Sequence, residues 1–142
     1  MSSSIDIDAA GERVWHLVEH PARWAEWSKV CPEVWGVPDD GVLIEGTEFG
    51  FKLRMVSMEV PFNVSVTRID SGLSIEWRST KFSITAVRTI FIEPYYEGCR
   101  VTDQKKFSSP VLPVGLIYPR GFIRRMTESW LVDMRIRSES NE

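Results

Sequence analysis

The sequence holds few of the residues from which metal and redox sites are built. Its 142 residues include two cysteines, Cys31 and Cys99, and two histidines, His16 and His20. The cysteines form no CxxC motif and are expected to be buried, reduced thiols. The histidines are four residues apart on a predicted helix. With no HExxH motif and no third ligand indicated, they are expected to belong to a solvated helix face. We therefore predict no metal and no cofactor.

Long apolar runs, an excess of basic residues and common catalytic motifs are also missing. No run of 18 apolar residues exists, so we expect no stable anchoring in a membrane. The net charge of −3 provides no concentrated basic face, which argues against a nucleic-acid partner. The opening MSSSIDID lacks the basic and apolar parts of a secretory signal, so we expect a cytoplasmic protein. The sequence contains no GxSxG, Walker or GxGxxG motif.

Four of the six tryptophans lie in the first quarter of the chain, where the apolar period changes from that of a strand to that of a helix. Alternating isoleucine and aspartate predict a strand near residues 3–8, and helical spacing predicts a helix near residues 10–19. Pro21 ends that helix and opens a shorter one that places Trp24 and Trp27 on one face. These pieces are expected to close one end of the fold.

Strand patterns fill the middle of the chain and a helical pattern follows. Over residues 30–109, alternating apolar residues are separated by short turns, one of them at residues 70–72, so the strands are expected to pair antiparallel. Over residues 113–138, apolar residues recur every three or four positions, as in a helix. Pro119 and Gly121 interrupt the first part of this pattern, so we expect either a kinked helix or one that starts only near residue 119. The sequence thus predicts an α+β fold and a single domain over residues 1–142. A curved antiparallel sheet of about six or seven strands would wrap round a long C-terminal helix.

Four stretches of the sequence carry a resemblance to a known family. They are the opening IDIDAAGERVWHLVEHPARWAEW, Leu73-x-x-x-Trp77, the hairpin with Ile92-Glu93-Pro94 and Gly98-Cys99-Arg100-Val101-Thr102, and Glu128-Ser129-Trp130-Leu131. In this order they resemble the START-like (SRPBCC) superfamily, specifically its polyketide cyclase/dehydrase and lipid-transport group. The sequence departs from that pattern at His20, where the family usually has aspartate.

The resemblance implies the helix-grip fold, with an internal apolar cavity between the sheet and the C-terminal helix. Members of this family bind lipids, sterols, polyketides or other apolar small molecules, and some catalyse cyclisation, aromatisation or dehydration. Because a fold of this kind hosts many functions, the resemblance does not identify the ligand.

Arg88 is the polar residue that the strand pattern places among apolar ones. In residues 82–92 the even positions are the more apolar, so Arg88 is expected to point inward with them. A buried guanidinium needs a partner, which is either a ligand oxygen or an internal carboxylate such as Glu76 or Asp103. In the last strand neither face is clearly apolar, and whether Asp103 or Gln104 looks into the cavity stays open.

The remaining candidate residues lie on the same inferred inward faces or at the cavity mouth. The apolar ones are either ligand-lining or ordinary core, and Tyr118 offers either a hydroxyl at the mouth or a packing contact. The predicted ligand-binding residues are Phe51, Met55, Phe62, Trp77, Arg88, Gln104, Tyr118, Met126 and Trp130. Arg88, Asp103 and Tyr118 are the candidates for acid or base chemistry.

Three functions are compatible with these observations. The first is a carrier or binding protein for a hydrophobic small molecule that bears an oxygen function. The second is an enzyme of polyketide cyclase, aromatase or dehydratase type, in which Arg88 polarises a carbonyl. The third is a protein–protein interaction module without a ligand cavity. We expect a monomer or a homodimer, and a mainly apolar cavity with Arg88 paired internally would favour the carrier.

Overall fold

The computed structural model describes residues 1–55, 58–110 and 119–140. In chain order the elements are β1 (Ser2–Ile7), α1 (Gly11–Glu19), α2 (Trp24–Trp27), β2 (Glu33–Trp35), β3 (Glu48–Met55), β4 (Met58–Asp70), β5 (Ser74–Lys81), β6 (Ile84–Tyr95), β7 (Gly98–Ser108) and α3 (Arg120–Glu139). A 3-10 turn, Pro21–Arg23, joins α1 to α2.

The strands form one open antiparallel sheet. Its order is β1-β7-β6-β5-β4-β3-β2, so the first strand pairs with the last, and β1 and β2 are the two edges. All other neighbours are consecutive in sequence, which is what alternating patterns separated by turns predict. The predicted α+β fold, a curved antiparallel sheet of about six or seven strands with a long C-terminal helix, is confirmed.

The two opening helices form where the sequence predicts them. Helix α1 ends at Glu19 with His20 as its C-cap, and Pro21 occupies the first position of the following 3-10 turn. The indole Nε1 of Trp24 donates hydrogen bonds to the carbonyl oxygens of Leu17, at 3.1 Å, and Val18, at 3.2 Å. These two bonds hold α2 against the C-terminal end of α1 and satisfy carbonyl groups that the helix end leaves without intrahelical partners.

Two of the later strands have boundaries that differ from the prediction. The strand expected from residue 82 begins at Ile84, because Phe82 and Ser83 form the turn between β5 and β6. Lys81 pairs with Ile84, and both turn residues have positive φ, 55° and 63°, as in a type I′ hairpin turn. The last strand, predicted over residues 99–107, is one residue longer at each end.

Helix α3 follows the helical pattern of the tail. It begins at Arg120, close to the alternative start near residue 119, and residues 111–118 lie outside the described residues. Its buried side chains recur at three- and four-residue steps, as in an amphipathic helix packed on a sheet. They include Ile123, Met126, Trp130 and Met134. In the described ranges, no helix is both long and apolar enough to cross a membrane.

Trp24 lies at the centre of the core and is 1% exposed. Its ring centroid is 5.7 Å from that of Phe49, 5.9 Å from Phe51, 5.6 Å from Trp77 and 5.2 Å from Trp130. These contacts join α2 to β3, β5 and α3. The opening helices therefore brace the sheet through aromatic packing.

Candidate ligand-binding site

A pocket lies between the sheet and the first half of α3, and its volume is about 60 Å³. Strands β3 to β7 supply most of its wall, and nearly all of the side chains are apolar. The lining residues are Phe51, Leu53, Met55, Phe62, Val64, Trp77, Ser79, Ala86, Val87, Arg88, Lys105, Phe107, Ile123 and Met126.

The volume of this pocket limits what it can hold. Pockets for drug-sized ligands have volumes of roughly 300–1,000 Å³, whereas this one measures about 60 Å³. The space as it stands suits only a small molecular fragment. The pocket that the described residues form is thus much smaller than the cavity that a whole lipid or polyketide needs.

Six of the nine predicted ligand-binding residues contribute to the lining. They are Phe51, Met55, Phe62, Trp77, Arg88 and Met126. Arg88 has this position because the even-numbered residues of β6 point inward, including the buried Ile84 and Ile90 on either side of it. Tyr118 lies outside the described residues.

The two other predicted residues lie elsewhere. Gln104 is on the outer face of β7, in a shallow depression that it shares with Thr89 and Lys106. Side chains alternate across a strand, so it is Asp103 that points inward, and its exposed fraction is 1%. Trp130 is in the core rather than in the pocket lining, with its ring 4.7 Å from that of Trp27.

Arg88 and Asp103 form a buried ion pair beside the pocket. The Nε of Arg88 donates to both carboxylate oxygens of Asp103 at 3.1 Å, and its Nη2 donates to Oδ2 at 2.5 Å. Arg88 is directly opposite Lys105 in the ladder between β6 and β7, so Asp103 is its diagonal neighbour. Of the two carboxylates considered as internal partners, it is Asp103 and not Glu76 that binds Arg88.

Two tryptophan rings of the aromatic core lie close to Arg88. The guanidinium carbon is 5.3 Å from the ring centroid of Trp77 and 4.9 Å from that of Trp130. A cation over an aromatic face is attracted by the negative charge of the π-system, and the attraction grows when water is excluded. Trp130 therefore stabilises the cation from the core although it does not line the pocket.

Lys105 is the second cation on the same carboxylate. Its Nζ donates to Oδ1 of Asp103 at 3.2 Å and to Oγ1 of Thr127, on α3, at 2.5 Å. The Thr127 hydroxyl in turn donates to the carbonyl oxygen of Ile123 at 2.8 Å. This chain of hydrogen bonds links β7 to α3 across the polar part of the pocket wall.

Burial and neighbouring charges shift the pKa values of three groups here. Burial alone would raise the pKa of Asp103, but the cations of Arg88 and Lys105 outweigh it and hold the pKa below its usual value. Burial, together with the Arg88 charge, lowers the pKa of Lys105 to about 8 despite the adjacent carboxylate. Burial raises the pKa of Cys31 to about 12, so this thiol is neutral.

Sequence reasoning did not single out Lys105. The signal lies in β7, where the apolar residues Cys99, Val101 and Phe107 share a parity with Asp103 and Lys105. Cys99 and Val101 are buried and Phe107 lines the pocket, which places the odd-numbered face inward and brings Lys105 to the pocket. The charged residues Asp103 and Lys105 lie on the same face as the three apolar residues, so the sequence alone does not decide the parity of this eleven-residue strand.

A separate group of potential metal ligands lies on α1. One ligand atom from each of His16, Glu19 and His20 lies within 4.8 Å of the others, so Glu19 is a third group that sequence reasoning did not indicate. Glu19 Oε2 accepts a hydrogen bond from Trp15 Nε1 at 2.9 Å, and His20 Nδ1 is 2.7 Å from the carbonyl oxygen of His16. These contacts belong to the local structure of the helix end, and we assign no metal to them.

The sheet, the C-terminal helix and the apolar pocket between them define a helix-grip protein with a fold for hydrophobic ligands. Residues 1–132 match the model of a family described as polyketide cyclase / dehydrase and lipid transport. The chain therefore belongs to this family. No curated protein matches the sequence.

Solved structures with the same fold come from a plant and from bacteria. A major latex-like protein 151 from ginseng, Panax ginseng, has a TM-score of 0.82 at 11% identity, with 99% of this chain and 97% of that chain covered. A hypothetical protein from Helicobacter pylori has a TM-score of 0.79 at 15% identity, covering 97% and 86%. A protein from Thermus thermophilus has a TM-score of 0.75 at 17% identity, covering 97% and 95%. At such identities the likeness establishes the fold alone.

Proposed function

We propose that the protein binds an apolar small molecule with an oxygen function in the pocket between the sheet and α3, as a carrier or binding protein. One observation carries this proposal: the lining is apolar except for Ser79, Arg88 and Lys105. Pockets of this composition bind a ligand by burying its apolar surface and orient it with a few polar groups. Membership of a family whose description includes lipid transport supports the same function.

The small volume requires the lining to move as a ligand enters. Met55, at the end of β3, and Met126, on α3, are the side chains best suited to this movement. Methionine is unbranched and has three rotatable bonds, so it can vacate space without displacing the backbone. Neither residue takes part in the ring contacts around Trp24, and the aromatic core can therefore stay in place.

Catalysis on a polyketide, by cyclisation or dehydration, is the second candidate function. Lys105 favours it, because a pKa of about 8 suits proton transfer near neutral pH. Arg88 and Lys105 are, however, already bound to Asp103, as expected for a carrier. Liquid chromatography with mass spectrometry of a poly-β-keto thioester after incubation distinguishes the two: a new isomeric product or loss of water, absent without the protein, supports the enzyme, and unchanged recovery supports the carrier.

The binding proposal is tested by filling the pocket from one strand. Ala86 lines the pocket, whereas Thr89 on the same strand lies on the outer face of the sheet. We expect Ala86→Phe to weaken binding of 1-octanol by about tenfold or more, and Thr89→Phe to leave it unchanged. Tryptophan fluorescence, to which the pocket-lining Trp77 contributes, reports the titration.

Two results would overturn this proposal. One is an Ala86→Phe variant that is folded and binds 1-octanol as well as the original protein does. The other is the absence of binding by the original protein across a series of 1-alkanols and aryl ketones of increasing length.

A further inference from the structure

The polar wall of the pocket has more positive than negative charge. Arg88 on β6 and Lys105 on β7 share one carboxylate, that of Asp103. The other groups packed against them add no negative charge in the described part of the chain. The Cys31 thiol is neutral, α3 contributes the Thr127 hydroxyl, and the N-terminal ammonium group donates to the backbone carbonyl of Lys105 at 3.0 Å.

Both cations keep hydrogen-bond donors that this cluster does not use. Arg88 binds Asp103 through Nε and Nη2, so the two N–H groups of Nη1 take no part in the ion pair. The Lys105 ammonium has three N–H groups, of which two are used by Asp103 and Thr127. Both side chains line the pocket, so a ligand there has access to these donors.

An uncompensated charge in an apolar site is unfavourable, and there are two ways to remove it. One is the loss of the proton from Lys105, in line with the lowering of its pKa to about 8. The other is the arrival of an anion. An anion would also satisfy the remaining donors with charge-assisted hydrogen bonds, which are stronger than those to a neutral oxygen.

We propose that the apolar ligand is a monoanion whose carboxylate binds between Arg88 and Lys105, with its apolar part among the aromatic and methionine side chains of the pocket. This inference rests on the proposed binding function and specifies the ligand class. The charges of Arg88, Lys105 and Asp103 sum to one positive charge. The carboxylate of a bound ligand makes the whole cluster neutral.

The proposal predicts a definite dependence on pH. A bound carboxylate favours the charged form of Lys105, which in the free protein predominates below a pH of about 8. Carboxylate affinity should therefore fall as the pH rises through this value, and binding above it should draw a proton onto the protein. An aliphatic carboxylate, with a pKa of about 4–5, stays ionised throughout, so the change belongs to the protein.

The test compares two ligands with the same chain length, octanoate and 1-octanol, at pH 6.5 and pH 9.5. At pH 6.5 we expect octanoate to bind at least about tenfold more tightly than 1-octanol, since hydrogen bonds between charged groups are stronger than those to a neutral hydroxyl. At pH 9.5 this preference should be largely lost, while the affinity for 1-octanol stays the same. Isothermal titration calorimetry measures all four affinities.

Two variants assign the preference to one side chain. Lys105→Met removes the buried ammonium group and should abolish the preference for octanoate at pH 6.5. Lys106→Met removes the next lysine, which lies on the outer face of β7, and should leave the preference intact.

Proton uptake can be measured on the original protein, by calorimetry at pH 8.5 in two buffers of different ionisation enthalpy. These titrations should show proton uptake with octanoate and none with 1-octanol.

The possible failures are distinguishable. Equal binding of octanoate and 1-octanol at pH 6.5, or no proton uptake at pH 8.5, overturns the carboxylate site while the binding function stands. An octanoate preference that persists in folded Lys105→Met also overturns it. If neither ligand nor any longer homologue binds, the binding function itself fails.

Discussion

At the scale of single residues, Asp103 is the group on which the charged cluster depends. It is 1% exposed and is the only carboxylate that Arg88 and Lys105 contact within the described residues. Replacing it by asparagine would leave two cations in an apolar site. We expect Asp103→Asn to lower the free energy of unfolding by about 3–5 kcal/mol, as for other buried ion pairs that lose one partner. Urea unfolding measures this loss.

The matched control is Asp6→Asn. Asp6 also pairs with an arginine, Arg100, with 2.7 Å between Nε and Oδ1, but its side chain is 53% exposed. Water and salt screen this pair, so its removal should hardly change the unfolding midpoint. Equal losses in the two variants would contradict the view that burial makes the Asp103 cluster important.

Part of this cluster could be predicted from sequence. The even-numbered apolar residues of β6 predict that Arg88 points inward, and a buried guanidinium requires a partner such as Asp103. The choice between Asp103 and Gln104 depends on the parity of β7, which its mixed composition leaves open. Only pairing with the strands on both sides decides it, and Lys105 becomes a pocket residue as a consequence.

At the scale of elements, the turn between β5 and β6 is a strained connection. Phe82 and Ser83 adopt positive φ, 55° and 63°, a region that costs residues with a Cβ roughly 1–2 kcal/mol. Ser83→Gly should therefore raise the free energy of unfolding by up to about 1 kcal/mol, after the greater flexibility of glycine in the unfolded chain is counted. Thermal unfolding monitored by circular dichroism measures the change.

Gly72→Ala is the opposite change in the neighbouring turn. Gly72 has φ of 81°, and a Cβ added there would meet no atom within 4 Å, so any effect is one of backbone conformation. This variant should lose roughly 1 kcal/mol or more. If both variants shift the free energy of unfolding in the same direction, positive φ is not what determines the contribution of these turns to stability.

The sequence predicts one of the two turns but not the other. Aspartate, serine and glycine at residues 70–72 are typical turn residues and predict the first turn correctly. Phe82 has high strand propensity, so the sequence pattern predicts a strand where the second turn lies. The pairing of Lys81 with Ile84 overrides that propensity, because it leaves only two residues to reverse the chain.

At the scale of the whole molecule, the fold follows from the order of the elements rather than from particular residues. The ginseng and Thermus thermophilus proteins share it at 11% and 17% identity. A strand, two short helices, a run of strands and a final helix are sufficient to predict it. The pocket volume of about 60 Å³ could not be predicted, since it depends on the rotamers of Met55, Met126 and their neighbours.

Trp24 is where the opening helices, the sheet and α3 meet, so its removal tests the integrity of the whole molecule. Its indole contacts four aromatic rings and donates hydrogen bonds to two carbonyl groups of α1. Trp24→Ala should lower the free energy of unfolding by about 3–5 kcal/mol, a large fraction of the roughly 5–15 kcal/mol typical of a domain. Urea unfolding, followed by circular dichroism and by fluorescence, measures this change.

The control is Trp35→Ala. Trp35 is half-buried on the edge strand β2, so its removal should lower the free energy of unfolding much less. Equal losses would show that Trp24 does not connect the layers of the fold.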